Sequence, residues 1–189
     1  LGYMHNGMKM LSATRALNMP TDAKGLKFRI QPSAVIEAQF EAVGANPQKL
    51  AFSEVYQALQ SGVVEGQENT WSNSYSKKFH EVQAAIMESN HGVIDYMVVT
   101  NAKWWAGLPA DVQAGVKKAM DEAIKHGNDI AVNDADAFKA KVIADNKAKV
   151  IKLSAAEMKA WRGAMLPVWK KFEGEIGADL IEAASASNN

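Results

Sequence analysis

Residues 25–44, GLKFRIQPSAVIEAQFEAVG, place a short apolar segment directly before an amphipathic one. Apolar residues alternate with polar ones from Leu26 to Ile30, which is typical of a β-strand that is buried on one face. We predict that a helix follows, capped by the hydroxyl of Ser33 and ended by Gly44. A strand that leads straight into a helix is the repeating unit of an α/β fold.

The same alternation of strand and helix continues downstream. We predict strands over residues 50–52 and 63–66, with a helix between them that begins at Ser53 and ends at Gly62. Further short apolar segments predict strands over residues 8–13, 84–87 and 93–100. The central order β-α-β-α-β indicates an α/β sheet with right-handed crossovers.

The second half of the chain is predicted to be mostly helical. From Pro109 to about Asp145, apolar residues recur at helical spacing without an intervening proline. A helix of this length is about 50 Å long at ~1.5 Å per residue, more than the diameter of a small domain. Since strict heptads are absent, we favour a spine that joins two lobes over a coiled coil. A strand over 149–153 and the capping box from Ser154 to Glu157 then open another long helix.

The composition narrows the possible functions of the chain. It has 189 residues, 48% of them apolar, and 21 basic residues against 21 acidic ones. This charge balance argues against a nucleic-acid-binding protein, and the absence of a long apolar segment argues against a membrane-inserted one. The chain has no cysteine, which excludes thiolate chemistry and is compatible with either the cytosol or the periplasm. No motif for a cofactor or a metal ion is present, so we predict neither.

Arg29 is the first candidate binding residue. It lies near the carboxyl end of the strand that precedes the Ser33-capped helix. Ligands of open α/β sheets bind beyond the carboxyl ends of strands, where helix amino termini favour anions. The planar guanidinium matches a carboxylate with two parallel hydrogen bonds. Arg29 is therefore a candidate carboxylate clamp, with an ordinary solvated side chain on an edge strand as the alternative.

A second candidate cluster follows the predicted strand over 63–66. Residues 67–73, QENTWSN, offer amides, hydroxyls and an indole that can bind a polar ligand. The alternative is a polar surface loop with its tryptophan packed into the core. His91 is a weaker candidate, because the spacing of the histidines does not suit a metal ion and a lone histidine is usually structural.

The segment from Gly25 to Gln83 closely resembles the DctP-type solute receptors of TRAP transporters. The motifs that carry the resemblance are G-L-K-x-R, A-F-S-E-V-Y-x-A-L-Q and G-x-E-N, and the segments SNHG and VVTNAKWWAGLP continue it. The resemblance covers nearly the entire chain. It implies an α/β fold of the type II periplasmic-binding-protein kind, with two lobes, crossing strands and a long helix across both. It also implies a periplasmic protein that delivers a carboxylate solute to a membrane permease.

The resemblance also implies how the chain divides. Residues 7–94 and 135–189 would form one nearly complete lobe that carries the arginine. Residues 95–134 would belong to a second lobe. Members of the family are longer than this chain, which begins at Leu1. The expectation is therefore that the first half of the second lobe is absent from the sequence.

The resemblance assigns roles to individual residues. Arg29 matches the arginine that forms a salt bridge with the solute carboxylate, and Asn69 matches a second polar contact. Phe52 matches an aromatic residue that lines the pocket, and Glu68 adjoins Asn69 in the motif. The flanking segments look most like those of receptors for C4-dicarboxylates. The resemblance implies that Ser33, Trp71 and Asn73 are further contacts of that subtype.

Lys9 departs from one branch of the family. Sialic-acid receptors have a second arginine at this position, which weakens an assignment to sialic acid. As a point charge, Lys9 could still balance a second solute carboxylate. Two other functions are compatible with the sequence. One is a small α/β enzyme that acts on a carboxylic acid, with His91 or Glu68 as its base, and the other is a ligand-sensing module of the same fold.

Overall fold

The computed structural model describes residues 1–187, apart from the side chain of Val132. The strands are β1 (Gly2–Met8), β2 (Met10–Ala13), β3 (Lys27–Ile30), β4 (Asn46–Lys49), β5 (Gly66–Asn69), β6 (Ala85–Met87), β7 (Val93–Val98) and β8 (Lys149–Ile151). The α-helices are α1 (Ala34–Ala42), α2 (Val55–Gln60), α3 (Trp71–Ser76), α4 (Ala102–Ala106), α5 (Ala110–Asp145), α6 (Ala155–Ile176) and α7 (Ala178–Ala186). Short 3₁₀ helices cover Pro20–Ala23, Phe52–Glu54 and Phe79–Glu81.

Six strands form one mixed sheet in the order β4-β3-β5-β2-β6-β8. Strand β3 runs parallel to both β4 and β5, as expected for strands joined by helical crossovers. Strand β2 is antiparallel to β5 and β6, and β6 is parallel to β8. The predicted α/β class is confirmed. The position of β2 in the middle of the sheet was not predicted, because its pairing partners are distant in sequence.

Two further strands form a separate sheet. Strands β1 and β7 pair antiparallel, with a bulge between His5 and Gly7. The prediction of one strand over 8–13 was wrong at its start, because β1 ends at Met8 and β2 begins at Met10 in the other sheet. The polar segment GYMHNGM of β1 lacks the alternation that would have revealed a strand. As a result, the chain passes between the two sheets at Lys9 and again between β6 and β7.

Helices cover both faces of the six-stranded sheet. On one face, Phe28, Phe40 and Trp161 pack between the sheet and helices α1 and α6. On the opposite face, Trp71 of α3 and Val142 of α5 share a second cluster. Burying apolar side chains of this size on both faces stabilises the sheet by roughly 1.5–3 kcal/mol for each side chain.

Helix α5 is the predicted spine. Its 36 residues correspond to about 54 Å at ~1.5 Å per residue. Near its middle, Ile124 contacts Gly2 and Asn128 donates to the carbonyl of Tyr3, so this part lies against β1. Near its end, Phe138 and Val142 join the core cluster of α3. One helix therefore packs against both sheet assemblies. Within residues 1–187, no helix combines the length and the apolar character needed to cross a membrane.

The predicted strand over 50–52 was wrong. The strand is instead Asn46–Lys49, and residues 52–54 form a 3₁₀ turn. This strand is polar, lies at the sheet edge and pairs with β3, so its pattern resembles a loop. Pro47 is tolerated there because an edge strand need not donate every amide. The predicted cap at Ser53 was also wrong: Glu54 precedes α2, and its carboxylate accepts from the amide of Ala51 at 3.1 Å.

The predicted strand over 63–66 begins too early. Strand β5 is Gly66–Asn69, and its four residues are all buried although three of them are polar. Gly66 has no room for a side chain, because a Cβ atom would collide with the ring of Phe28. The caps at Ser33 and Ser154 are confirmed: Ser33 Oγ accepts from the amide of Ile36, and Ser154 forms the predicted capping box.

Candidate functional site

The guanidinium of Arg29 lies at the carboxyl-terminal rim of the six-stranded sheet. Its Nε and Nη2 atoms both donate to the backbone carbonyl of Leu50, which follows the end of β4, at 3.0 and 2.9 Å. Within residues 1–187, Arg29 makes no ion pair with a carboxylate. The Leu50 carbonyl binds the edge of the guanidinium that is formed by Nε and Nη2. Both hydrogens of Nη1 and the second hydrogen of Nη2 point away from that contact.

Burial changes the electrostatics of Arg29. The residue is 3% exposed. Loss of solvation lowers the pKa of the guanidinium, and the negative charge of Glu68 partly opposes this by raising it. Arginine stays charged throughout the ordinary pH range all the same. The rim therefore holds a poorly solvated positive charge, which favours a carboxylate partner over water.

Phe52 forms one side of the surroundings of Arg29. The centre of its ring lies 5.8 Å from Cζ of Arg29 and 5.8 Å from Nζ of Lys77. The ring packs edge-on against Phe79 with 5.8 Å between the ring centroids. Phe52 is still 39% exposed. It is thus held in place by Phe79 while part of its surface stays available beside the arginine.

The end of β5 supplies amide groups on the same face as Arg29. Arg29 pairs in register with Gln67 in parallel strands, and the Asn69 amide donates to Oε1 of Gln67 at 3.3 Å. Residues that are paired in register, or two apart in one strand, project to the same face. Oδ1 of Asn69 accepts from Nδ2 of Asn73 at 2.7 Å and from the amide of Thr70 at 3.2 Å. Arg29, Asn69 and Asn73 are therefore grouped at one rim of the sheet.

Lys9 and Glu68 occupy the opposite face of the sheet. Nζ of Lys9 donates to Oε1 of Glu68 at 2.6 Å, and Nε2 of His91 lies 2.7 Å from Oε2 of the same carboxylate. Glu68 points away from Gln67 and Asn69 because alternate residues of a strand face opposite sides. Both oxygens of Glu68 and the ammonium of Lys9 thus have protein partners.

These partners keep Glu68 ionised. Burial alone raises the pKa of Glu68, but the hydrogen bond and the charge of His91, together with Lys9, outweigh it and lower the pKa to about 2. A carboxylate with such a low pKa is a poor proton acceptor near neutral pH. The arrangement is that of a buried ion-pair cluster, which holds its members in one geometry.

Two other predicted residues have structural roles in the described chain. Ser33 caps α1 through the amide of Ile36 at 3.3 Å. Trp71 is buried in the core beside α5, with Nζ of Lys139 lying 6.0 Å from its ring centre. The roles of Ser33, Trp71, Asn73 and the other predicted residues toward a solute stay predictions.

Some polar contacts of the site were not predicted. The carbonyl of Leu50 accepts from Arg29, and this contact could not be predicted from residue types because every residue has a backbone carbonyl. Oδ1 of Asn6 accepts from the hydroxyls of Thr70 and Ser72 at 2.8 and 2.6 Å, which ties β1 to the start of α3. Ser89 bonds to His91 at 2.7 Å. The motif SNHG had marked this segment, but only as part of a resemblance.

Comparison with known proteins identifies the family. The model of bacterial extracellular solute-binding proteins, family 7, named DctP, matches residues 1–175. The chain belongs to this family. The DctP protein of Shewanella loihica, named a C4-dicarboxylate-binding periplasmic protein, is 54% identical over 188 residues. Those residues are 100% of this chain and 56% of that protein, so the chain spans little more than half of its relative's length.

Solved structures of the family share the fold of this DctP-family chain. A TRAP periplasmic solute-binding protein of Shewanella oneidensis, with bound succinate, has a TM-score of 0.98 and 52% identity. The match covers 100% of this chain and 62% of that one. A second protein, from Pseudomonas aeruginosa with bound L-malate, has a TM-score of 0.87 and 44% identity, over 90% of this chain and 60% of that one. The predicted periplasmic-binding-protein architecture is confirmed.

Proposed function

We propose that this DctP-family protein captures a small carboxylate, most specifically a C4-dicarboxylate, and delivers it to a TRAP permease. The single observation that carries the proposal is the guanidinium of Arg29, fixed along one edge by the Leu50 carbonyl and buried beside Phe52. The relatives with bound succinate and L-malate support the choice of a C4-dicarboxylate. The name of the Shewanella loihica relative supports a periplasmic location.

The proposed recognition begins at the rim of the sheet. One solute carboxylate accepts two parallel hydrogen bonds from Nη1 and Nη2 of Arg29, each worth roughly 1.5–3 kcal/mol. The side chain of Asn69 lies on the same face and binds a further oxygen, and the ring of Phe52 covers the carbon skeleton. Lys9 and Glu68 support the strands from the other face, where each neutralises the other's charge.

The proposed capture ends with closure of two lobes on the solute. We assign residues 7–94 and 135–189 to the lobe that carries Arg29, and residues 95–134 to the other. Strand β7 and helix α5 each run from one of these parts into the other. A solute stabilises the closed state only through contacts that the open state lacks. The permease is a partner implied by the family and recognises the closed, loaded form in this proposal.

Catalysis is a weaker explanation of the same residues. Glu68 is held as a carboxylate by Lys9 and His91, and its pKa of about 2 makes it a poor base. Nε2 of His91 must donate to that carboxylate and so cannot accept a proton there. A sensor module would use the same binding site, and it differs in reporting the solute to a signalling partner instead of a permease.

Isothermal titration calorimetry of succinate against the purified protein tests the proposal. Arg29→Lys should weaken binding at least tenfold, since lysine keeps the charge but loses the parallel pair of hydrogen bonds. Arg15→Lys is the matched control, because Nη2 of Arg15 also donates to a backbone carbonyl, that of Asp22, at 2.8 Å on the surface. Equal affinity of the wild type and Arg29→Lys would refute the proposed clamp.

A further inference from the structure

Two short connections join the two sheets of the fold. Lys9 alone separates β1 from β2, and residues 88–92 separate β6 from β7. The amide of Lys9 donates to the carbonyl of Gly92 at 2.7 Å, so the connections are bonded to each other. They also pack closely, because a Cβ atom on Gly92 would lie 2.7 Å from Cε of Lys9. If the angle between the two sheets changes, the backbone of both connections must change with it.

A row of hydrogen bonds ties both connections to the six-stranded sheet. Oγ of Ser89 accepts from the amide of Leu11 at 3.1 Å and lies 2.7 Å from Nδ1 of His91. Nε2 of His91 lies 2.7 Å from Oε2 of Glu68 in β5, and Lys9 donates to Oε1 at 2.6 Å. Ser89, Glu68 and Lys9 are buried. The row therefore reaches β2, β5 and both connections.

The hydrogen atoms of the row can be assigned from its ends. The ionised carboxylate of Glu68 can only accept, so His91 donates to it from Nε2. The other ring nitrogen, Nδ1, lies 2.7 Å from the hydroxyl of Ser89, which can either donate to a ring nitrogen or accept from it. The oxygen of that hydroxyl keeps a lone pair for the amide of Leu11. All of these contacts are satisfied at once when Nε2 of His91 carries a proton.

We propose, on the basis of the proposed function, that Ser89 is a positioning residue for solute capture. Its hydroxyl holds the imidazole ring of His91 with a protonated Nε2 toward Glu68, which in turn fixes Glu68 and the two connections between the sheets. With Nε2 unprotonated, a nitrogen lone pair would face the Glu68 carboxylate across 2.7 Å, and the contact would become repulsive. Glu68 directly precedes Asn69, so a displaced Glu68 disturbs the connections between the sheets and the solute site together.

The position of protons on the His91 ring is measured by two-bond ¹H–¹⁵N correlation NMR of the ¹⁵N-labelled protein at neutral pH. The wild type should show a single Nε2–H pattern for His91. Ser89→Ala should lose that single pattern, whereas Ser89→Thr should keep it because threonine retains the hydroxyl. The added methyl group has room, since Ser89 borders a cavity of about 370 Å³. Ser74→Ala is the matched control, a buried serine whose side chain makes no hydrogen bond within residues 1–187.

Succinate affinity provides the second readout. Loss of one hydrogen bond from the row should weaken binding about three- to tenfold in Ser89→Ala, with Ser89→Thr and Ser74→Ala close to the wild type. An Nε2 atom of His91 without a proton in the wild type would overturn the proposal without any variant. An unchanged His91 pattern and an unchanged affinity in Ser89→Ala would also overturn it. Failure of the wild type to bind succinate would instead refute the proposed function, while the His91 pattern would still test the role of Ser89.

Discussion

The buried carboxylate of Glu68 should make the protein's stability depend on pH in a defined window. Its pKa is lowered from 4.5 to about 2, which corresponds to about 3 kcal/mol of stabilisation at neutral pH. Because the folded-state pKa lies below the unfolded one, this stabilisation is present above pH 4.5. It is lost as the pH falls toward 2. Between pH 7 and pH 3, the loss amounts to about 2 kcal/mol.

Urea unfolding of the wild type and Glu68→Gln, monitored by circular dichroism between pH 7 and pH 3, measures this contribution. At pH 7 the variant should be less stable by about 3 kcal/mol, since Lys9 would keep a buried charge without its ionised partner. The difference between the two proteins should shrink by about 2 kcal/mol at pH 3. Comparing the proteins at each pH cancels the titration of the other carboxylates.

The control for this measurement is Glu37→Gln. Glu37 forms an ion pair with Lys49 at 2.7 Å, but both side chains are substantially exposed. Exposed pairs contribute about 0–1 kcal/mol, so this variant should stay close to the wild type at every pH. A constant difference between the wild type and Glu68→Gln from pH 7 to pH 3 would refute the electrostatic account of the cluster.

Two further predictions concern the fold. Gly66→Ala should destabilise the protein by roughly 1–3 kcal/mol, because the new Cβ atom would overlap the ring of Phe28; thermal unfolding measures the cost, and an unchanged midpoint would show that the strand can shift freely. Ser154→Ala should cost about 1 kcal/mol by removing the acceptor for the amide of Glu157, without changing succinate affinity. A fall in affinity that exceeds the fall in stability would link α6 to the solute site.

Local patterns were sufficient to predict the elements with strong sequence signals. The apolar alternation from Leu26 to Ile30 predicted β3, and the hydroxyls of Ser33 and Ser154 predicted the starts of α1 and α6. The long apolar periodicity predicted α5 to within one residue of its start after Pro109. In each case the residues that decide the structure lie within a few positions of one another.

The missed elements depend on distant partners instead. Strand β4 is polar and is held by its pairing with β3, and β5 buries polar side chains that bond across the sheet, such as Gln67 to Ser12 at 2.8 Å. Polarity alone therefore predicted loops at both places. Strand β1 owes its extended form to pairing with β7, about ninety residues away.

The candidate site shows the same division. The sequence was sufficient to predict that Arg29 lies near a strand end and that its guanidinium can bind a carboxylate. Its anchor, the carbonyl of Leu50, was not readable because any residue type supplies a carbonyl. The bond between Lys9 and Glu68 was not predicted either, since 59 residues separate them. Lys9 had been interpreted as a charge available to a solute, whereas the structure pairs it with a carboxylate of the same chain.

A crystal structure of the protein grown with succinate would show whether Arg29 binds the solute. One succinate carboxylate should lie within hydrogen-bonding distance of both Nη1 and Nη2 of Arg29, with the Leu50 carbonyl still bound to Nε. The side chain of Asn69 and the ring of Phe52 should contact the same solute. Succinate bound elsewhere, with Arg29 contacting only protein and water, would show that the guanidinium is not the carboxylate clamp.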